Sequence, residues 1–136
     1  MVHVGLTMWL AACVCAAVAA EPGGDAGLYT EVQATRGEQL YDQFCIACHG
    51  AKLQGNPAAP LAGSVFLGRW ADGQHTLDDL FYIIRTQMPY NAPGSLAKQQ
   101  YVDVVAYLLK VNAFPAGEME LTPSSATLKK VTLQPR

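Results

Sequence analysis

Two cysteines three positions apart, with a histidine directly after the second, stand at Cys45-Ile46-Ala47-Cys48-His49. No other run limits the fold so strongly. This is the attachment spacing of a c-type haem, in which each thiol adds across one vinyl group to give a thioether. A short helical turn sets the two sulfurs at the right separation and turns the next residue toward the iron. His49 is then the proximal ligand through an imidazole nitrogen. A structural zinc site would need two further Cys or His ligands, and only His75 lies outside both the motif and the first twenty residues. A disulfide between Cys45 and Cys48 suits an oxidising compartment but gives no reason for His49. The expected cofactor is one covalent haem c.

Residues 4–20 are almost wholly apolar and end in Ala17-Val18-Ala19-Ala20, before Glu21-Pro22-Gly23-Gly24 breaks the run. The pattern predicts a signal peptide over 1–20, with a weak n-region, and hence a periplasmic protein. Two membrane-bound alternatives stay open. The segment is retained as an anchor facing the periplasm, or Cys13 of Leu10-Ala11-Ala12-Cys13 is lipidated. A run of about 17 apolar residues is at the lower limit for spanning a bilayer. In the plain-signal reading Cys13 and Cys15 are removed, and Cys45 and Cys48 are the cysteines that remain. Export agrees with haem attachment, which takes place outside the cytoplasm in bacteria.

About 116 of the 136 residues follow the predicted cleavage, enough for one small domain. Residues 21–34 read as a flexible N-terminal segment and 116–136 as a C-terminal tail, both Pro-, Gly- or Ser-bearing and without helical period. The domain proper is placed at 35–115. A domain of about 80 residues struggles to bury enough apolar surface unaided, so a haem at its centre would supply what the chain lacks. The formal charge of −2 argues against nucleic acid and against strong electrostatic steering.

Three helices are predicted, giving an all-α fold. The first runs from Thr35 into the haem motif, with Thr35 and Glu38 as a capping box and Gly37, Leu40, Tyr41 and Phe44 on one face. The second covers 77–85, capped by Thr76, with Leu77, Leu80, Phe81 and Ile84 inward. The third covers 96–111, capped by Ser95, with Tyr101, Val104, Val105 and Leu108 inward. Residues 50–73 read as a long loop, a length that is uncommon unless it wraps something.

The sixth iron position decides between electron transfer and ligand chemistry. Met88, directly after the second helix and held extended by Pro89, is the leading candidate, because a soft thioether suits haem iron. His75 is the rival, and a core methionine is the plain alternative.

From these residues the chain resembles a class I cytochrome c over about residues 35–117. Gly37, Tyr41, Cys45, Cys48 and His49 match that family's N-terminal helix and haem motif, and Asp103-Val104-Val105-Ala106-Tyr107-Leu108 matches its C-terminal helix. The resemblance implies three main helices and long loops around the haem, with the terminal helices crossing where Gly37 meets Tyr107, a residue it also counts with Pro60 and Trp70 among the haem surroundings. It implies that a proline carbonyl, Pro60 before Pro57, accepts the Nδ1 proton of His49. Trp70 either donates its indole N–H to a haem propionate or only packs.

The segments 88–96, 101–109 and 112–117 are more narrowly similar to the cytochrome domain or subunit of pyrroloquinoline-quinone alcohol dehydrogenases. That likeness implies a mono-haem electron carrier and not an enzyme. It would carry single electrons from a quinoprotein-type dehydrogenase to an acceptor cytochrome or oxidase of the respiratory chain. The competing classes are a haem sensor or gas-binding protein with an open or weakly held sixth position, and a peroxidase-like enzyme, for which only His75 could serve as a distal acid or base.

Overall fold

The computed structural model describes Met1 and residues 27–134. The predicted signal peptide, Cys13 and Cys15 therefore lie outside the described residues. Helices α1 (Glu31–Phe44), α2 (Ile46–His49), α3 (Ser64–Trp70), α4 (Leu77–Gln87), α5 (Lys98–Val111) and α6 (Ser125–Leu128) follow in order. Among the described residues there is no strand, only the isolated bridges Tyr29–Ala116 and Thr76–Thr132. The all-α expectation holds. None of the helices is long and apolar enough to cross a membrane among the described residues.

The core is organised by α1 against α5, the most extensive helix–helix contact of the structure. Ala34, Gly37 and Tyr41 form the buried stripe of α1, at the spacing of one helical face. Residues 101–109 of α5 are buried all round, with α1 and α4 packed on the helix and Val104 and Leu108 on an internal cavity. At the crossing, a Cβ on Gly37 would overlap the Asp103 carbonyl and stand 2.9 Å from the Cβ of Tyr107. The backbones approach this closely only because position 37 has no side chain. The Tyr41 and Tyr107 rings then meet at 5.4 Å.

Helix starts differ from expectation in two places. Thr30, not Thr35, caps α1, its hydroxyl accepting the Gln33 N–H at 3.1 Å, while Thr35 donates to the Glu31 carbonyl. The earlier start is favoured by Tyr29, which is 1% exposed and donates its hydroxyl to the Phe114 carbonyl at 2.8 Å. Helix α5 begins at Lys98 and not at Leu96, because Gly94 and Ser95 are taken up in turns closed on Met88 and Ala92. Thr76 caps α4 as predicted. Asp79 completes that box by accepting the Thr76 N–H at 2.8 Å, and this bond holds its carboxyl below the usual range. The long loop over 50–73 is interrupted by α3, seven residues that are too few to show a period.

Both flanks expected to be mobile or loosely docked are packed where they are described. Residues 27–30 lie beside 114–117, and the Gly117 N–H donates to the Tyr29 carbonyl at 2.6 Å. The C-terminal segment buries Leu121, Leu128 and Leu133, single apolar residues too widely spaced to signal an element. The Leu121 N–H and carbonyl both bond the buried Gln33 side chain. Farther along, Val131 accepts the Leu77 N–H at 2.8 Å and Leu133 accepts the Gly73 N–H at 3.1 Å.

The crossing yields a paired expectation. Gly37→Ala should cost roughly 1–3 kcal/mol or more, since the clash is with fixed backbone. Gly68→Ala on α3, where a Cβ meets nothing within 4 Å, should be neutral or stabilising by up to about 1 kcal/mol. Urea unfolding of the holo-proteins compares the two, and equal midpoints would remove the crossing argument.

Candidate haem centre

A cavity of about 270 Å³ opens between α2, α3, α4 and the 59–61 loop. Cys45, Cys48, His49, Pro60, Trp70 and Met88 all line it. These residues are spread over 44 positions of sequence, and the fold brings them to one wall or another of a single space. Its remaining surface is mostly apolar, from Phe66, Leu80, Ile83, Ile84, Val104 and Leu108.

The haem motif folds as predicted. Cys45 ends α1 and begins α2, and the Cys48 and His49 N–H groups both return to the Cys45 carbonyl at 3.1 and 3.0 Å. Burial, with a smaller contribution from Cys48, pushes the Cys45 thiol up to about 11, so it stays protonated at neutral pH. Tyr41 closes the turn beneath. Its hydroxyl donates to the Gly50 carbonyl at 2.6 Å, and burial first, then Cys45, pushes its pKa up to about 12.

His49 is 8% exposed and its Nδ1 lies 2.8 Å from the Ala59 carbonyl. With Nδ1–H donating there, the tautomer is set and Nε2 has no hydrogen-bond partner among the described residues. The acceptor corrects the expectation of a proline carbonyl. Pro60 lines the cavity, but the bond goes to the residue before it. The Gly55 N–H also donates to the His49 carbonyl at 2.8 Å, so the 50–60 loop grips this residue at both ends.

The loop itself is held by Asn112, the cap of α5, which the sequence reading missed. Its side chain donates to the Leu61 and Leu108 carbonyls at 3.0 and 2.8 Å and accepts the Gly63 N–H at 3.0 Å. An asparagine directly after an apolar helix was the available signal.

Met88 is the C-cap of α4, extended at φ −125° and ψ 154°, as its place before proline requires. Its carbonyl accepts the Tyr101 hydroxyl at 2.8 Å and the Gly94 N–H at 3.3 Å. Two other expected neighbours stand elsewhere. Tyr107 does not line the cavity, because the crossing directs its ring onto Tyr41. His75 lies on the far side of Trp70, edge-on at 5.4 Å, with Nδ1 2.8 Å from Asp72. Asp72 is held down at about 2 by the His75 and Gln74 N–H groups.

The donor set fits haem c. Two thiols, an oriented imidazole and a thioether face one apolar space, and among the described residues no cluster of His, Cys, Asp and Glu suits a metal ion otherwise.

Residues 32–108 match the protein family described as cytochrome c oxidase, cbb3-type, subunit III. Cytochrome c-551 of Bacillus subtilis (strain 168) is 44% identical over 55 residues, covering 40% of this chain and 48% of that protein. Thiosulfate dehydrogenase of Stutzerimonas stutzeri (strain A1501) is 32% identical over 79 residues, covering 54% of this chain and 25% of that one. The crystal structure of the sulfane dehydrogenase SoxCD from Paracoccus pantotrophus superposes with a TM-score of 0.57 at 23% identity, covering 74% of this chain and 52% of the other. That likeness concerns the fold. The chain spans about half or less of the length of each relative.

Asn112→Ala should destabilise the protein by about 2–3 kcal/mol, because it strips the Leu61 carbonyl and the Gly63 N–H of their partner. Denaturant unfolding monitored at the haem Soret band measures this. A cost below about 0.5 kcal/mol would show that the loop does not depend on this side chain.

Proposed function

The chain belongs to the family described as cytochrome c oxidase, cbb3-type, subunit III, a family of c-type cytochromes, and from that premise we propose that it is a periplasmic mono-haem carrier of single electrons from a dehydrogenase to the respiratory chain. The observation that carries the reading is the convergence of Cys45, Cys48, His49 and Met88 on one apolar cavity. When bound, the haem supplies a one-electron couple at its iron.

The chain's own residues do the rest. Cys45 and Cys48 would hold the haem covalently through thioethers. His49, its ring oriented by the Ala59 carbonyl, would ligate the iron through Nε2, and Met88 would supply a thioether sulfur as the second ligand. Leu80, Ile84, Val104 and Leu108 exclude water. A soft thioether raises the potential, and a low-dielectric surround does the same by disfavouring the more charged oxidised state. A haem held by both His49 and Met88, each anchored through backbone hydrogen bonds, would keep similar coordination in its two oxidation states, so little rearrangement would oppose electron transfer.

The donor we favour is a quinoprotein-type dehydrogenase, supported by the likeness of segments 88–96, 101–109 and 112–117 to cytochrome domains of that class. Two relatives bear dehydrogenase names, which agrees with a dehydrogenase donor of some kind. The acceptor is a cytochrome or an oxidase. The signal peptide predicted from the sequence over 1–20 and the family together favour export.

Ligation is tested by spectroscopy of the oxidised protein. Met88→Ala should abolish the weak far-red band of a Met-ligated haem, and His75→Ala should leave it unchanged. A high-spin His75→Ala variant beside an unaltered Met88→Ala variant would overturn the assignment and favour a different sixth ligand.

Docking is tested by kinetics. Exposed apolar side chains, Phe44 at 43% and Val65 at 58%, line the cavity together with exposed Arg69 and Gln87, and half-buried Ile46 follows Phe44 in the haem motif. Contact with the donor should be small, mainly apolar and only modestly salt-dependent. Ile46→Glu should slow electron transfer from the donor while leaving the haem spectrum nearly unchanged. A steep fall of rate with salt, together with indifference to Ile46→Glu, would move the docking site to a charged face such as Lys129 and Lys130.

A further inference from the structure

We propose that Tyr101 is a positioning residue for the sixth iron ligand, an inference that rests on the reading of Met88 as that ligand. Tyr101 opens the buried run of α5 and is 1% exposed. A tyrosine this deeply buried must find partners for its hydroxyl. It finds both in the same loop. The hydroxyl donates to the Met88 carbonyl at 2.8 Å and accepts the Leu96 N–H at 3.3 Å.

These two bonds span residues 88–96 from end to end. Met88 is the last backbone residue that α4 supports, through its N–H to Ile84. Pro89, next in the chain, is buried against the cavity, but from Tyr90, 85% exposed, the loop lies open. Residues 91–95 are exposed as well, so they contribute little burial energy to fix the loop. Inside the loop the Met88 carbonyl has one other partner, the Gly94 N–H at 3.3 Å, and Gly94 sits at φ +75°, where glycine is favoured. The Tyr101 hydroxyl is thus the one side-chain bond between this carbonyl and the helical core. Because α5 is also the partner of α1, which leads directly into Cys45 and His49, Tyr101 references the Met88 side of the cavity to the same scaffold that carries the His49 side.

A core tyrosine with no such role would affect global stability alone. A positioning residue affects how readily the ligand is displaced while the fold stays intact. Tyr101→Phe removes one oxygen and keeps the ring. One lost hydrogen bond should raise the apparent affinity of the oxidised holo-protein for added imidazole, which competes for the position Met88 occupies, by about 3- to 10-fold. On heating, the far-red band should fade well before the far-UV circular dichroism of the helices, whereas in the unsubstituted protein the two should run closer together. Tyr107→Phe, on the same helix but with its ring on Tyr41, should match the unsubstituted protein in both readouts.

Unchanged imidazole affinity and coincident melting in Tyr101→Phe would overturn the inference, provided Met88→Ala abolishes the far-red band in the same series. A band that survives Met88→Ala locates the failure in the ligand reading, and the inference falls with it. If Tyr101→Phe yields no holo-protein, Gly94→Ala serves in its place. It strains the second bond to the same carbonyl and should also tighten imidazole binding, and behaviour identical to the unsubstituted protein would equally overturn the proposal.

Discussion

The close approach of α1 and α5 at Gly37 is the constraint from which the other positions follow. A side chain at that point would collide with the Asp103 carbonyl, so the two helices could not lie backbone to backbone. Because they do, Tyr41 meets Tyr107, and α1 runs on into Cys45 with the haem motif at its end. The crossing also buries Asp103, which is 4% exposed. A carboxylate in that place is costly unless it is fully partnered. Arg36 gives it a two-pronged contact at 3.0 and 3.1 Å, and Gln33 and Gln99 add donors. The same Arg36 reaches out to Glu120, and Gln33 to Leu121, so charge compensation at the crossing also ties down the C-terminal segment.

The cavity is walled by helices and closed by loops, and those loops are not free. Each is pinned through backbone atoms to a side chain of the α1–α5 pair: Gly50 to Tyr41, Leu61 and Gly63 to Asn112, Met88 and Leu96 to Tyr101. Backbone groups in a partly buried loop need partners, and here helix side chains of fixed position supply them. The two faces of the cavity therefore share one frame. A displacement of α5 would move Ala59's neighbourhood and Met88 together.

Features that depend on a few residues at fixed spacing were legible in the sequence. The Cys45–His49 turn, the Thr76 cap, the stripe of α4 and the extended Met88 before Pro89 all follow from local rules, and the structure repeats them. Cys45, Cys48, His49 and Met88 were placed at one iron by motif and spacing, whereas Pro60 and Trp70 joined them only through the family resemblance. What was not legible depends on contacts between distant segments. Thr30 prevails over Thr35 as a cap because Tyr29 is anchored by Phe114, 85 positions away. Leu121, Leu128 and Leu133 carry no period, so nothing local marks them as core. The Ala59 carbonyl offers no side-chain signal at all, since any residue provides one. The resemblance gave Tyr107 two places, at the crossing and among the haem surroundings, and the structure keeps the first, with its ring on Tyr41 and off the cavity.

The packed C-terminal segment changes how the stability of so small a domain is understood. Surface-to-volume scaling leaves a chain of about 80 residues short of apolar burial. In the sequence reading the haem alone made up that deficit. The structure adds a second source. Leu121, Leu128 and Leu133 together remove three large apolar side chains from water, each worth roughly 1.5–3 kcal/mol when fully buried. They do so away from the cavity, with Leu121 held to α1 through Gln33 and α6 packed on α4. Stability gained there does not narrow the opening through which the cavity meets its surroundings. The rim can then stay exposed and apolar at Phe44 and Val65, as transient electron exchange requires, without the fold depending on those residues being covered.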